Sequence, residues 1–202
     1  MDEYTTDTRE TILKEGFEDL MSNGVRAFTV ESLAASLGMS KKTIYKFFPS
    51  KEKLIFAIMS GMTGRVRKQF EAIIADEPNA ALQFVKVMQM ITKTLSRVPV
   101  NQMRELKIRY PSIWRYVEDF RKERLKNFLT ILETGQQQGY IRPDIDTRQV
   151  SILYIEIINQ IFQPEYFVEH DVSIRDTLDL FISIFSRGIF TPTGMQIIED
   201  TL

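Results

Sequence analysis

Apolar residues recur at the spacing of an α-helix in one segment of the chain after another. The first stripe consists of Ile12, Leu13, Phe17, Leu20 and Met21, and the Asn23-Gly24 pair that follows is typical of a helix C-terminus. Similar stripes cover residues 51–75, 80–98, 111–138, 152–162 and 178–190. The pattern therefore predicts an all-α protein.

Two short helices joined by a tight turn are predicted between Thr29 and Phe48. Their apolar positions have the spacing that two crossing helices need to share a small core: Val30, Leu33, Leu37, Met39, Ile44 and Phe47. Gly38 lies where the first of them ends and the backbone is expected to need a positive φ. Pro49 ends the second, because it excludes the preceding residue from the α region. Together with the first helix of the chain, this pair predicts a helix-turn-helix head of residues 1–50.

The second helix of this pair carries a basic outward face. From Ser40 to Lys68 there are eight lysines and arginines and a single acid, Glu52. Such a face either is simply solvated or enters the major groove of double-stranded DNA. On the DNA-binding interpretation Lys42, Thr43 and Tyr45 read bases, although Tyr45 has the alternative of a core position. The other expected DNA-binding residues, mainly phosphate contacts, are Thr29, Ser40, Lys41, Lys46 and Lys51.

Residues 51–75 predict a long helix that leads from the head into a larger second domain of residues 51–202. A continuous helix of that length would span about 37 Å, and Gly61 and Gly64 permit a bend in it. Further along, residues 111–138 predict one long helix whose lysines and arginines form a solvated face. The segment from Pro164 to Asp171 is interpreted as a loop that carries His170.

Two C-terminal helices are more apolar than a one-sided surface helix requires. Eight of the eleven residues from Ile152 to Phe162 are apolar, and residues 178–190 have a similar composition. Such helices must be covered on two sides, either within one large core or by the same helices of a second copy in a four-helix bundle. The residues expected at a homodimer interface are Ile152, Ile155, Ile158, Leu178, Phe181, Ile182 and Phe185.

A narrow polar line follows the first of these two helices. It consists of Gln149, Glu156, Asn159, Gln160 and Gln163. Three placements fit it: solvent, hydrogen bonds across a dimer interface, and the wall of a ligand cavity. Glu156 at a cavity wall would favour a cationic or hydrogen-bonding ligand.

Composition narrows the function classes. The chain has 202 residues, no cysteine and one histidine, and its formal net charge is -1. There is no glycine-rich phosphate loop, metal-ligand cluster, or nucleophile paired with a base, so no catalytic residue, metal site or cofactor is predicted. The sequence also lacks a run of about 18 apolar residues, and its N-terminus is acidic and polar. We therefore expect a cytoplasmic protein that does not associate with a membrane.

The segment FTVESLAASLGMSKKTIYKFFPSKEKL resembles the DNA-binding domain of the tetracycline-repressor (TetR/AcrR) family of bacterial regulators. The resemblance covers roughly residues 8–60 and includes the aromatic run Tyr45, Phe47 and Phe48. Many relatives carry a small residue where this chain has Lys42, so the details of base readout are expected to differ.

This resemblance implies a homodimeric transcriptional repressor that binds a pseudo-palindromic operator and is released by a small hydrophobic or amphipathic effector. It further implies an effector pocket in the second domain. The expected lining is Phe84, Met88, Met103, Trp114 and Phe120, with Glu156 a further candidate, although the same apolar residues would serve equally as plain core. The second function considered is a DNA-binding dimer without an effector, and the third is an all-α enzyme.

Overall fold

The computed structural model describes the backbone of residues 3–201 and the side chains of residues 7–201. Over this range it contains helices joined by short turns and one isolated β-bridge, between Ile141 and Phe190, and no strand. The helices are α1 (Glu3–Ala27), α2 (Val30–Ser36), α3 (Lys41–Phe47), α4 (Lys51–Asp76), α5 (Ala80–Leu95), α6 (Val100–Arg109), α7 (Pro111–Glu123), α8 (Leu125–Gln137), α9 (Thr147–Ile161), α10 (Pro164–His170), α11 (Ile174–Ile189) and α12 (Pro192–Glu199). The prediction of an all-α fold is confirmed.

The chain divides into two compact units. The first contains the residues up to Val66 together with Asn101–Val117, and the second contains Arg67–Val100 and the residues from Glu118 onward. Helix α4 continues without interruption through Gly61 and Gly64 and contributes residues to both units. Within the described part, no helix is both long and apolar enough to cross a membrane.

The first unit has a core made by α1, α2, α3 and the beginning of α4. Its fully buried side chains are large and apolar, and they include Ile12, Leu20, Phe28, Leu33, Ile44 and Leu54. Helix α2 packs against both α1 and α3. The position of α3 is therefore determined by apolar burial, which leaves its polar side chains on the outside.

The second unit is built around aromatic contacts between α5, α8, α9 and α11. The rings of Phe128 and Tyr154 are stacked with centroids 3.9 Å apart, and Phe84 meets the edge of Phe190 at 5.0 Å. Helices α11 and α12 both pack against α5. Gly194 in α12 has no room for a side chain, because an added Cβ would clash with the carbonyl oxygen of Tyr140.

The long helix predicted for residues 111–138 is divided at Arg124 into α7 and α8, which corrects that prediction. Arg124 is buried, with its guanidinium carbon 4.8 Å from the centroid of the Phe120 ring. Arg121 is largely buried as well, and its Nε donates a hydrogen bond to Asn159 Oδ1 at 3.3 Å. These two arginines are thus not on the solvated face where the sequence placed them, because their planar guanidinium groups pack against aromatic rings.

The segment after Pro164 is also helical, where the sequence predicted a loop. Pro164 occupies the first turn of α10, a position that tolerates proline, and Phe167 is buried. The helix ends at His170 and is followed by Asp171, whose backbone is left-handed with φ 50°. His170 is exposed at its last residue, and its ring meets Tyr166 edge-on at 4.9 Å.

Candidate nucleic-acid interface

Both helices of the helix-turn-helix begin with a side-chain cap. Thr29 Oγ1 accepts a hydrogen bond from the Ser32 amide at 3.0 Å, and Ser40 Oγ accepts one from the Thr43 amide at 3.1 Å. Both cap residues have extended backbones, as N-caps require. Thr29 and Ser40 therefore have a defined structural role at the helix starts, and their predicted contact with DNA stays a prediction.

The turn between α2 and α3 depends on Gly38. Its φ is 62°, in the left-handed region that favours glycine. Helix α3 ends at Phe47, and Phe48 is extended, as the proline at position 49 predicted. The helix has only seven residues, so it presents roughly 10 Å of length to a groove.

The outer surface of α3 is basic and aromatic. Lys41, Lys42 and Lys46 are exposed, Thr43 is half-buried, and the Tyr45 ring is 42% exposed. Ile44 on the opposite face is fully buried. The expected exposure of Tyr45 is confirmed, and Tyr45 shares one side of α3 with Lys42, which lies three positions before it.

Lys41 is held by an acidic partner on α2, Glu31, which is not among the predicted DNA-binding residues. Its Nζ lies 2.8 Å from Glu31 Oε1, and the bridge joins α3 to α2. The hydrogen bond raises the pKa of Lys41 and lowers that of Glu31. Glu31 lies ten positions before Lys41 in the sequence, and nothing in the local pattern shows that these two residues face each other.

Lys51 lies at the start of α4 in a more enclosed environment. Its Nζ donates a hydrogen bond to the Val25 carbonyl at 3.1 Å and lies 5.8 Å from the centroid of the Phe28 ring. Burial, followed by the charge of Arg109, lowers the pKa of this lysine. The side chain ties α4 to the end of α1, so it serves the packing of the head, while its predicted phosphate contact stays a prediction.

The residues expected to line an effector pocket are buried in the two units separately. Phe84, Met88 and Phe120 belong to the second unit, whereas Met103 and Trp114 belong to the first. The Met88 sulfur accepts a hydrogen bond from the Tyr154 hydroxyl at 3.5 Å. Phe84, Met88 and Phe120 have packing roles in the second unit, and their contact with a ligand stays a prediction.

The polar line on α9 divides between two faces. Gln149, Glu156 and Gln160 are exposed, whereas Asn159 is buried beside Arg121. Gln163 is half-buried, and its amide donates to Glu118 Oε1 at 2.8 Å. Glu156 consequently lies on the outer face of α9 within this chain.

The predicted dimer residues likewise have different positions. Ile155, Ile158 and Leu178 are buried within the chain's own core, and Phe181, Ile182 and Phe185 are half-buried. The apolar residues that remain exposed on α9 and α11 are Ile152 at 44%, Leu153 at 56%, Leu180 at 62% and Ile184 at 63%. Leu153, Leu180 and Ile184 were not in the predicted set, because both helices are apolar on several faces and the sequence does not show which face is covered.

Comparison with known proteins agrees with this geometry. Residues 12–58 match the model of the family described as bacterial regulatory proteins, tetR family. An uncharacterized HTH-type transcriptional regulator, YvaF of Bacillus subtilis, is 29% identical over 182 residues, which cover 88% of this chain and 93% of YvaF. The HTH-type transcriptional repressor KstR2 of Mycobacterium tuberculosis is 27% identical over 127 residues, or 61% of this chain and 64% of KstR2.

A solved structure extends the likeness over the whole fold. A candidate transcriptional regulator from Saccharomonospora viridis, solved in complex with choline, superposes with a TM-score of 0.71 at 18% identity, covering 92% of this chain and 99% of its own. At this identity the likeness concerns the fold alone. The matched family model, together with the caps, turn and basic outer face of α3, identifies residues 12–58 as a helix-turn-helix DNA-binding domain like those of the TetR family of bacterial regulators.

Proposed function

We propose that the protein is a homodimeric repressor that binds a pseudo-palindromic operator and leaves it when a small molecule binds the second unit. The observation that carries this proposal is the outer surface of α3, where three exposed lysines surround an exposed tyrosine on a helix anchored by Ile44. A short helix with such a face fits the major groove, where side chains at its start meet base edges. A regulator of genes acts where the DNA is, so the cytoplasm is its expected location.

The exposed apolar face of α9 and α11 supports the dimer. Ile152 and Leu153 on α9 and Leu180 and Ile184 on α11 are large aliphatic side chains that stay in water in the single chain. Covering such a face with its copy would bury it and form a four-helix bundle. A two-fold dimer would place its two reading helices in successive major grooves, about 34 Å apart.

Release by a small molecule has support from relatives and solved structures. KstR2 of Mycobacterium tuberculosis is described as a transcriptional repressor and as a ketosteroid transcriptional regulator, and the Saccharomonospora viridis protein was solved with choline. A coupling of about 1–3 kcal/mol between effector and operator sites corresponds to a change of 5- to 150-fold in operator affinity. Helix α4 is the expected route, because it contributes residues to both units.

Selection from a pool of random duplex DNA tests the proposal. The recovered sequences should share two inverted half-sites whose centres lie about 10 base pairs or a little more apart, and each duplex should bind two copies of the chain. Half-sites without inverted symmetry, or one copy per duplex, would contradict the dimeric mode. A compound screen on the protein bound to the selected duplex would then find effectors by loss of the complex.

A DNA-binding dimer without an effector is the second candidate. It is favoured by the burial of Phe84, Met88 and Phe120 in contacts that already use their apolar surface. A broad thermal-shift screen in which no compound raises the melting temperature would support this candidate over the first.

A further inference from the structure

The second unit contains a groove that the sequence did not predict. Of its lining residues, only Met88 and Ile182 are among the predicted site residues. It is bounded by α5, α11 and α12 and has a volume of about 670 Å³. This volume lies within the range of small-molecule sites, roughly 300–1,000 Å³. All of its lining residues belong to the second unit, so the groove exists within one compact body of the chain.

The deeper wall of this groove is apolar. Met88 on α5 and Ile198 on α12 are buried, and Ile182 on α11 and Met195 on α12 are half-buried. Two of these four residues are methionines, whose unbranched, polarisable side chains adapt to ligands of irregular shape. This wall suits the hydrocarbon body of a ligand.

The outer edge of the groove is basic on both sides. Lys93 on α5 and Arg97, just after the end of that helix, line it on one side, and Arg175 and Arg187 on α11 line it on the other. The two arginines of α11 have acidic neighbours that also line the groove: Arg187 Nη2 lies 3.3 Å from Glu199 Oε1, and Arg175 Nε lies 3.7 Å from Asp179 Oδ2. Lys93 and Arg97 take part in no ion pair in the part of the chain that the structure describes, so the α5 edge has positive charge in excess.

A hydroxyl between the basic edge and the apolar wall also lacks a partner. Thr92 lines the groove, and its Oγ1 is buried without a hydrogen-bond partner among the described residues. Buried polar atoms are normally hydrogen-bonded. Because this oxygen has almost no accessible surface, it would meet a ligand in the groove only after rotation of the Thr92 side chain.

We infer that this groove binds an amphipathic organic acid, whose carboxylate pairs with Lys93 and Arg97 and whose hydrocarbon body lies on the methionines and isoleucines. The inference rests on the proposed function, since it names the chemical class of an effector. Helix α11 has the groove on one side, through Ile182 and Arg187, and the exposed Leu180 and Ile184 on another. A ligand that moves α11 would therefore change the face proposed for dimerisation.

Calorimetric titration with decanoate tests this inference on the full chain. Decanoate should bind the unaltered protein, whereas butanoate, which lacks the apolar body, and decyltrimethylammonium, which reverses the charge, should bind at least about tenfold more weakly. The double variant Lys93→Gln/Arg97→Gln should lose about tenfold in decanoate affinity. The matched control Lys122→Gln/Lys126→Gln removes two exposed lysines of the second unit that do not line the groove, and it should bind decanoate as the unaltered protein does.

A groove-filling variant, Ser183→Trp, provides an independent test, because Ser183 is an exposed lining residue whose replacement does not enter the core. It should abolish decanoate binding with an unchanged circular dichroism spectrum. Failure of decanoate to bind the unaltered protein, or equal affinity in the control and in the Lys93/Arg97 variant, would overturn the inference. If decanoate binds in the groove and operator affinity does not change, the inference stands and the proposed release by an effector is contradicted. If another compound releases the operator and does not compete with decanoate, the proposed release is supported and the groove is not the effector site.

Discussion

Three lysines in and beside α3, the proposed DNA-reading helix, illustrate how the environment of a residue decides its role. Lys42 is exposed and forms no ion pair in the described part of the chain, Lys41 is bridged to Glu31, and Lys51 is half-buried on the Val25 carbonyl. An exposed, unpaired ammonium needs no rearrangement to meet DNA, whereas a bridged or enclosed one must first give up a partner. Lys42 is therefore the lysine among these three that is best prepared for a DNA contact.

Replacing Lys42 or Tyr45 by alanine should weaken operator binding by about 1–3 kcal/mol for each residue, because each change would remove a proposed groove contact of α3. Fluorescence anisotropy titrations with a labelled operator would measure the loss. Lys122→Ala, an exposed lysine on α7, is the control and should bind normally. Operator affinity that is unchanged in Tyr45→Ala would remove this ring from the interface.

Replacing Glu31 by glutamine should strengthen DNA binding, because it frees Lys41 and removes a negative charge beside the phosphates. The hydrogen bond from Lys41 lowers the pKa of Glu31 below its ordinary value of 4.5, so the bridge is intact above that value and is lost as the pH falls through the lowered pKa. The affinity gain of Glu31→Gln should thus be present at pH 7 and reach several-fold at low salt. Weaker binding by this variant would show that the bridge is needed to position α3.

At the scale of elements, α9 and α11 use their apolar residues in two ways. Ile155, Ile158 and Leu178 complete the core of the second unit, while Ile152, Leu153, Leu180 and Ile184 remain exposed. Both helices are long enough to present several turns to a partner, with 15 and 16 residues. Their outer face therefore has the extent and the composition of one half of a helix-bundle interface.

The exposed isoleucine of α11 offers a matched test of that interface. Ile184→Glu should convert the dimer into a monomer, because it would bury two carboxylates near a two-fold axis. Ile108→Glu on α6 is the control, since Ile108 is 66% exposed and Ile184 is 63% exposed. Sedimentation velocity would show a dimer for the control and a monomer for Ile184→Glu, and a dimeric Ile184→Glu variant would place the interface elsewhere.

At the scale of the whole molecule, charge is distributed unevenly. The formal net charge is -1, yet the segment from Ser40 to Lys68 contains eight basic residues and one acid. Local charge, and not the sum, governs the attraction of a DNA backbone at distances near the Debye length. The basic head can thus bind a polyanion although the protein as a whole is slightly acidic.

Operator affinity should fall steeply with salt. Two heads that each contribute the three lysines predicted to contact phosphates, Lys41, Lys46 and Lys51, would make about six phosphate contacts, which corresponds to a loss of about 10³-fold between 50 and 200 mM salt. Titrations at several salt concentrations would give the slope of log affinity against log salt. A nearly flat line would mean that the basic face makes few phosphate contacts and would contradict its assignment as the DNA-binding surface.

The helix-turn-helix could be predicted from the sequence because its signals are local. Caps at Thr29 and Ser40, a positive φ at Gly38 and the stop at Pro49 each act within a few residues, and the apolar spacing of α2 and α3 leaves one way to pack them. The break at Arg124, the helix after Pro164 and the bridge from Lys41 to Glu31 were not predicted.

The features that were not predicted depend on contacts with residues that are remote in the chain, or on which of several apolar helix faces is buried. The guanidinium of Arg121 is buried because α9 brings Asn159 to it, and burial lowers the pKa of this arginine to about 10. The groove between α5, α11 and α12 arises only when three separated segments pack together. Local backbone preferences and helical periodicity thus determined where the helices lie in the sequence and how the helix-turn-helix head is built. The tertiary structure decided which sides of the C-terminal helices are covered, because burial is a property of the packed chain and not of any one segment.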